Sequence, residues 1–182
     1  MRGYQSRASA VVAAIWLFSM PASIEAQTPP AAGTAPQTVV LSGDSWQQGE
    51  KVFRLYGVQS CLRGSVYMDQ TGERKDCGAV AAAMLAAFLR DTRPRCRSVA
   101  QIRTASTSPT VLVACSASIA TQELDLGSMM IGQGFAFAAL TDLGQPVYAS
   151  YLAQEILAQE AQKGLWAFEG FQRPDFRKLG LK

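Results

Sequence analysis

GDSWQQGEKVFRLYGVQSCL, residues 43–62, carries a polar-apolar run on each side of Gln47-Gln48-Gly49-Glu50. With the preceding Val39-Val40-Leu41-Ser42 it reads as strands over 38–42, 44–48 and 51–58, the last two joined as a β-hairpin. Arg54 falls between Phe53 and Leu55, a cation flanked by side chains that favour burial. Such a charge needs an anion or carbonyl oxygens nearby. Asp44, in the Gly-Asp-Ser turn that opens the hairpin, is the candidate partner.

Downstream, Asp76 is placed as the N-cap of a helix over 77–89, where Val80, Met84 and Phe88 recur at i+4 and Ala81, Leu85 and Leu89 widen the stripe. Residues 93–98 and 111–116 read as strands, the second (VLVACS) β-branched enough to be central. The Ser/Thr-rich segment 99–110, broken by Pro109, reads as a long loop, with a β-hairpin arm the alternative. Asp125 caps a short helix over 126–133, ended by Gly134 as the C′ glycine. Phe135-Ala136-Phe137 is expected extended and buried, and Met129-Met130 in the core. Pro146 is expected to start the longest helix, 147–163, which Gly164 ends before Leu165-Trp166 docks back. On that helix Tyr148 and Tyr151 read as packing residues and Glu155 as a structural partner.

The ends of the chain carry different signals. Arg2 and Arg7 precede the apolar run 8–20, and Ile24-Glu25-Ala26 offers a small-residue cleavage site. Residues 1–26 therefore read as a secretory signal peptide, with an uncleaved anchor the alternative. No other segment is apolar for long enough to cross a membrane. Residues 27–37, rich in Pro, Ala, Gly and Thr, have almost nothing to bury and read as a disordered leader. The remainder divides into a single domain, 38–168, and a polar tail, 169–182.

Composition excludes several chemistries. The chain has no His, so Ser-His-Asp triads, Cys-His nucleophiles and His-ligated zinc are ruled out. A net charge of +3 is mild for a protein that grips phosphates, although Arg90, Arg93, Arg95, Arg97 and Arg103 cluster locally. Four Cys in an exported chain read as disulfides, with free buried thiols the alternative. Of the three possible connectivities, Cys61–Cys77 with Cys96–Cys115 is favoured, because each closes a short loop and the second joins neighbouring strands.

The segment Gly43-Asp44-Ser45, then Arg54-Leu55-Tyr56-Gly57-Val58, resembles the staphylococcal-nuclease-like (thermonuclease) family. The resemblance extends through Asp76-Cys77-Gly78, Asp125-Leu126, Gly132-Gln133-Gly134-Phe135-Ala136, and Tyr151, Glu155, Ala158, Gly164 and Trp166. It implies an α+β fold, a five-stranded OB-fold barrel with three helices. It also implies a phosphodiesterase site in which carboxylates hold calcium, a glutamate activates water, and two arginines neutralise the phosphoryl group. Calcium requires several oxygen ligands, and a general base must titrate.

Carried over position by position, that site is depleted. Asp44 is the one metal-site carboxylate kept; its companions are Ser42 and Gln59. Arg54 keeps one phosphate-binding arginine, and Thr110 stands at the other. Leu62 occupies the general-base position. Arg103, swinging in from its loop, and Asp69 or Glu73, replacing the base, are the remaining substitutes. The expectation is an exported, non-catalytic accessory or binding protein, periplasmic or secreted, without a cofactor. Its barrel groove would take a polysaccharide or a nucleic acid; the resemblance to exported relatives in succinoglycan-type exopolysaccharide biosynthesis implies the former. A secreted calcium-dependent nuclease with rearranged residues is the alternative.

Overall fold

In the computed structural model, residues 37–102 and 108–174 are described, all within one compact unit, Thr34–Lys182. The signal peptide and cleavage site, nearly all of the leader, Arg103 and residues 175–182 lie outside the described residues.

The hairpin reading holds, with shorter strands. β1 (Thr38–Ser42) pairs antiparallel with β2 (Ser45–Gln48), which pairs antiparallel with β3 (Lys51–Leu55). Asp44 lies in the β1–β2 turn rather than on a strand. β3 stops at Leu55 because Gly57 takes φ +76°, so the chain turns before β4 (Val58–Gln59). A side chain on Gly57 would also collide with the Tyr148 ring. β4 then pairs antiparallel with β10 (Phe137–Ala138).

A second hairpin, which the sequence reading lacks, follows. β5 (Val66–Met68) pairs with β6 (Arg74–Asp76) around a turn in which Gly72 has φ +82°. Asp69 pins that turn by accepting from the Thr71 N–H and hydroxyl and from the Glu73 N–H. The alternation in Val66-Tyr67-Met68 and the Asp-x-x-Gly turn were the local signals for it.

α1 (Cys77–Thr92) starts where expected, with the Asp76 carboxylate accepting from the Ala79 N–H, but runs three residues beyond 89. Arg93, left-handed at φ 45°, ends it, and Pro94 prevents its continuation. β7 (Arg95–Ile102) and β8 (Thr110–Ile119) are longer than the expected 93–98 and 111–116 and take up both ends of segment 99–110, pairing antiparallel there as the hairpin-arm alternative has it. β9 (Gln122–Asp125), also not anticipated, pairs with β8. α2 (Leu126–Gly132) carries its Asp125 cap, and Gly134 follows with φ +76°. α3 (Ala149–Glu160) is shorter than the expected 147–163, and α1 is the longer helix. Val147 is diverted because its N–H donates to the Ala139 carbonyl while Pro146 bridges Leu140. A 3-10 turn, Gly164–Ala167, docks Leu165 into the interior.

The architecture is α+β with three α-helices. The main sheet has six strands, ordered β1-β2-β3-β8-β7 with β9 on β8, and β3 runs parallel to β8. Among the described residues β1 pairs only with β2 and β7 only with β8, so this path is open rather than a closed five-stranded barrel. Its inner face carries Val40, Trp46, Phe53, Leu55, Val111 and Val113, packed against Leu85, Phe88 and Leu89 of α1 and Met130 and Ile131 of α2. Burying this set supplies the main driving force for the fold.

A second apolar cluster holds Tyr67, Phe137, Leu165 and the Cys61–Cys77 disulfide. Phe168, the last residue of the expected domain, packs on Tyr67, and the segment expected as a polar tail joins the cluster through Phe171, which packs on Tyr67 and stacks on Phe137. Both favoured disulfides are present; Cys96 and Cys115 are direct cross-strand neighbours of β7 and β8, with Cα atoms 4.0 Å apart. Among the described residues no helix is long and apolar enough to cross a membrane.

Candidate functional site

Asp44 sits in a turn pressed against α1. A Cβ on the adjacent Gly43 would meet the Ala81 and Ser60 side chains at 2.5 and 2.8 Å, so only glycine allows this approach. The Leu55 N–H donates to the Asp44 carbonyl, fixing the turn beside β3. The carboxylate is thereby carried inward to 4% exposure.

Four donors surround it. Ser42 Oγ donates to Asp44 Oδ1 at 2.5 Å and Ser60 Oγ to the same oxygen at 3.3 Å. Arg54 approaches Oδ2 through Nε at 3.0 Å and Nη2 at 2.9 Å. A carboxylate offers about four lone-pair positions, so Asp44 is saturated. The Arg54 side chain remains 45% exposed, with the rest of its guanidinium facing solvent.

These residues do not fit calcium. An ion would have to displace Arg54 from the single carboxylate and then sit beside its charge, while a calcium shell takes six to eight oxygens. Gln59, neutral, is held on β4 opposite Phe137. The Leu62 segment is clamped at the first turn of α1, where a Cβ on Gly78 would meet the Leu62 carbonyl carbon at 2.5 Å. Thr110 starts β8, paired with Val52 and Ile102. Among the described residues no group of three or more His, Cys, Asp or Glu converges as a metal site.

The substitute acids are engaged elsewhere. Hydrogen bonds from Thr71 and then Glu73 hold the Asp69 carboxyl below its ordinary pKa, and Glu73 pairs with Lys75 at 2.5 Å. Both belong to the β5–β6 hairpin, and among the described residues their partners are Thr71 and Lys75 rather than Asp44 or Arg54. Of the arginine cluster, Arg90 bonds Asp91 and Arg95 pairs with Glu123, leaving Arg93 and Arg97 without ion pairs among the described residues.

The register places Arg54 on the outer sheet face. Arg54 stands beside Ser45 on β2 and Leu112 on β8, and Leu112 in turn faces Ala100 on β7. Two residues further along β8, Ala114 faces Arg97. Arg54 and Arg97 thus flank a strip of small and apolar side chains on β8, two strand spacings or roughly 10 Å apart across the sheet. Sequence periodicity could not show this, because it depends on the register of β8 between β3 and β7, strands far apart in sequence.

Glu155 serves as a structural partner, as expected. At 4% exposure it accepts from the Ala138 N–H at 2.7 Å and pairs with Arg173 at 3.1 Å. Burial raises its pKa, against the opposing effects of Ala138 and Arg173. Arg173 also donates to the Ala138 carbonyl and lies over the Phe137 ring. Tyr151 is buried, donates its hydroxyl to Asp125 at 2.7 Å and titrates above the ordinary tyrosine range, chiefly because of burial. Tyr148 packs its edge on Tyr56 and Tyr151. Met130 is fully buried. The chain matches no family model and no curated protein.

Proposed function

We propose that this is an exported, non-catalytic binding protein, built on an OB-type sheet of staphylococcal-nuclease kind, whose outer face holds an anionic polymer. The observation that carries the reading is the saturated Asp44: its oxygens serve Arg54, Ser42 and Ser60, so its role is to fix a half-exposed guanidinium. A guanidinium held this way is pre-organised for carboxylate or phosphate oxygens. Arg97, across β8, supplies a second positive charge. Two separated cations with hydroxyls nearby suit the sparse charge of an acidic polysaccharide better than the dense charge of a nucleic acid, whose binders show a stronger basic face. A role beside succinoglycan-type exopolysaccharide assembly or export follows from the resemblance, and the two disulfides accord with an oxidising compartment.

The test is a cleavage assay on single-stranded DNA with and without calcium, run beside a variant carrying Gln59→Asp, Leu62→Glu and Thr110→Arg. The parent is expected to leave the DNA intact under both conditions. Titration with acidic oligosaccharides should then show binding that weakens in Arg54→Ala and Arg97→Ala. Calcium-dependent cleavage by the parent, lost in Arg54→Ala, would establish the nuclease reading instead.

A further inference from the structure

The open edge of the main sheet leaves a groove on the inner side, opposite the face that carries Arg54. Trp46 and Phe53 line it from β2 and β3, Thr38 and Gln48 from the β1–β2 side, and Leu89, Arg93, Pro94 and Cys96 from the end of α1 and the start of β7. Its volume is about 440 Å³, within the ordinary range of small-ligand sites. Among the described residues the side chains of Thr38, Gln48 and Arg93 make no hydrogen bond or ion pair. A hydroxyl, an amide and a guanidinium therefore border one cleft with unused capacity.

Arg93 is also the costliest backbone position in the cleft. It adopts φ 45° and ψ 58° directly before a proline. An L-residue pays for the left-handed region, and a following proline restricts it further. Glycine is the usual residue at a helix end of this geometry. A strained residue that borders a groove and whose charge is unpaired among the described residues points to a functional constraint on its side chain.

We infer that this groove binds a sugar acid, a pyranose bearing a carboxylate, as one unit of an acidic oligosaccharide. The guanidinium of Arg93 takes the carboxylate, Gln48 and Thr38 take ring hydroxyls, and the C–H face of the ring packs on Phe53, Leu89 and Pro94. A nucleobase fits less well because it needs an open aromatic face. Trp46 is only 4% exposed and already stacks on Phe53, centroids 5.8 Å apart. The ligand class rests on the polysaccharide reading above, but the site is separate from the Arg54–Arg97 face.

The experiment uses the purified protein with three probes: cellobiouronic acid, the neutral disaccharide cellobiose, and uridine monophosphate. Backbone amide shifts are followed by NMR and affinities by calorimetry, in the parent, Arg93→Gly, and Arg54→Ala with Arg97→Ala. The expected result is that the acidic disaccharide shifts Thr38, Gln48 and Arg93, and that cellobiose binds at least tenfold more weakly. Arg93→Gly should lose roughly 10- to 100-fold in affinity, the worth of a charge-assisted hydrogen bond. Its melting temperature should rise by about 2–4 °C as strain is relieved. The Arg54/Arg97 double variant should lose any response of the outer face and keep the shifts at Thr38, Gln48 and Arg93, which separates failure of the groove from failure of the outer face. A fall in melting temperature in Arg93→Gly would make Arg93 structural and overturn the proposal, as would equal binding of cellobiose, preferential binding of the nucleotide, or shifts confined to the outer face.

Discussion

Replacing Arg54 with alanine tests whether the Asp44–Arg54 pair is a structural pin. The change leaves the Asp44 carboxylate at 4% residue exposure with Ser42 and Ser60 as its remaining donors. Breaking a fully buried pair by removing one partner costs about 3–5 kcal/mol. Arg54 itself is 45% exposed, so water can follow into the vacated space and the cost falls to about 2 kcal/mol. For a domain of this size that corresponds to a fall of roughly 4–8 °C in melting temperature. The assay is thermal and urea unfolding of the parent, Arg54→Ala, Asp44→Ala and the double variant. A lone Arg54 can turn to solvent whereas a lone Asp44 cannot, so Arg54→Ala should be worse than the double variant would suggest by addition. The coupling energy should reach about 1–2 kcal/mol. An Arg54→Ala effect within about 0.5 kcal/mol of zero, the range of ordinary surface substitutions, would refute the reasoning, as would strict additivity.

Two further outcomes concern the rest of the fold. Each disulfide closes a loop of comparable length, with sequence separations of 16 and 19, so replacing either cysteine pair by serine should cost about 3 kcal/mol; denaturant titration checks this, and a loss confined to one pair would break the loop-closure argument. Glu155 has a raised pKa because it is buried, so the folded state holds its proton more tightly than the unfolded chain does. The stability that this proton contributes is complete below the ordinary glutamate value and is lost as pH rises through the folded pKa. Glu155→Gln should therefore gain relative to the parent as pH rises from about 4 to 7; a melting-temperature difference that is flat or opposite in sign over that interval would contradict it.

Much of this protein was legible in the chain itself because the signals act within a few residues. Asp76 and Asp125 bond to backbone N–H groups three residues ahead, Gly134 supplies the positive φ that ends α2, and of the apolar stripe of 77–89 Ala81 and Leu85 are buried while Val80, Met84 and Phe88 are partly so. The pairing of Cys96 with Cys115 followed from two strands being neighbours. The tertiary structure alone decided the rest. Ser60 reaches Asp44 from 16 positions away and Arg173 reaches Ala138 from 35; no local period encodes such meetings. Val147 was lost from α3 to a bond with Ala139, a competition that helix propensity cannot see. The open edge between β1 and β7 depends on where two strands distant in sequence come to lie, and with it the groove that contains Arg93. Local pattern sets what each segment can form; the partners of a buried charge are set by how the whole chain packs.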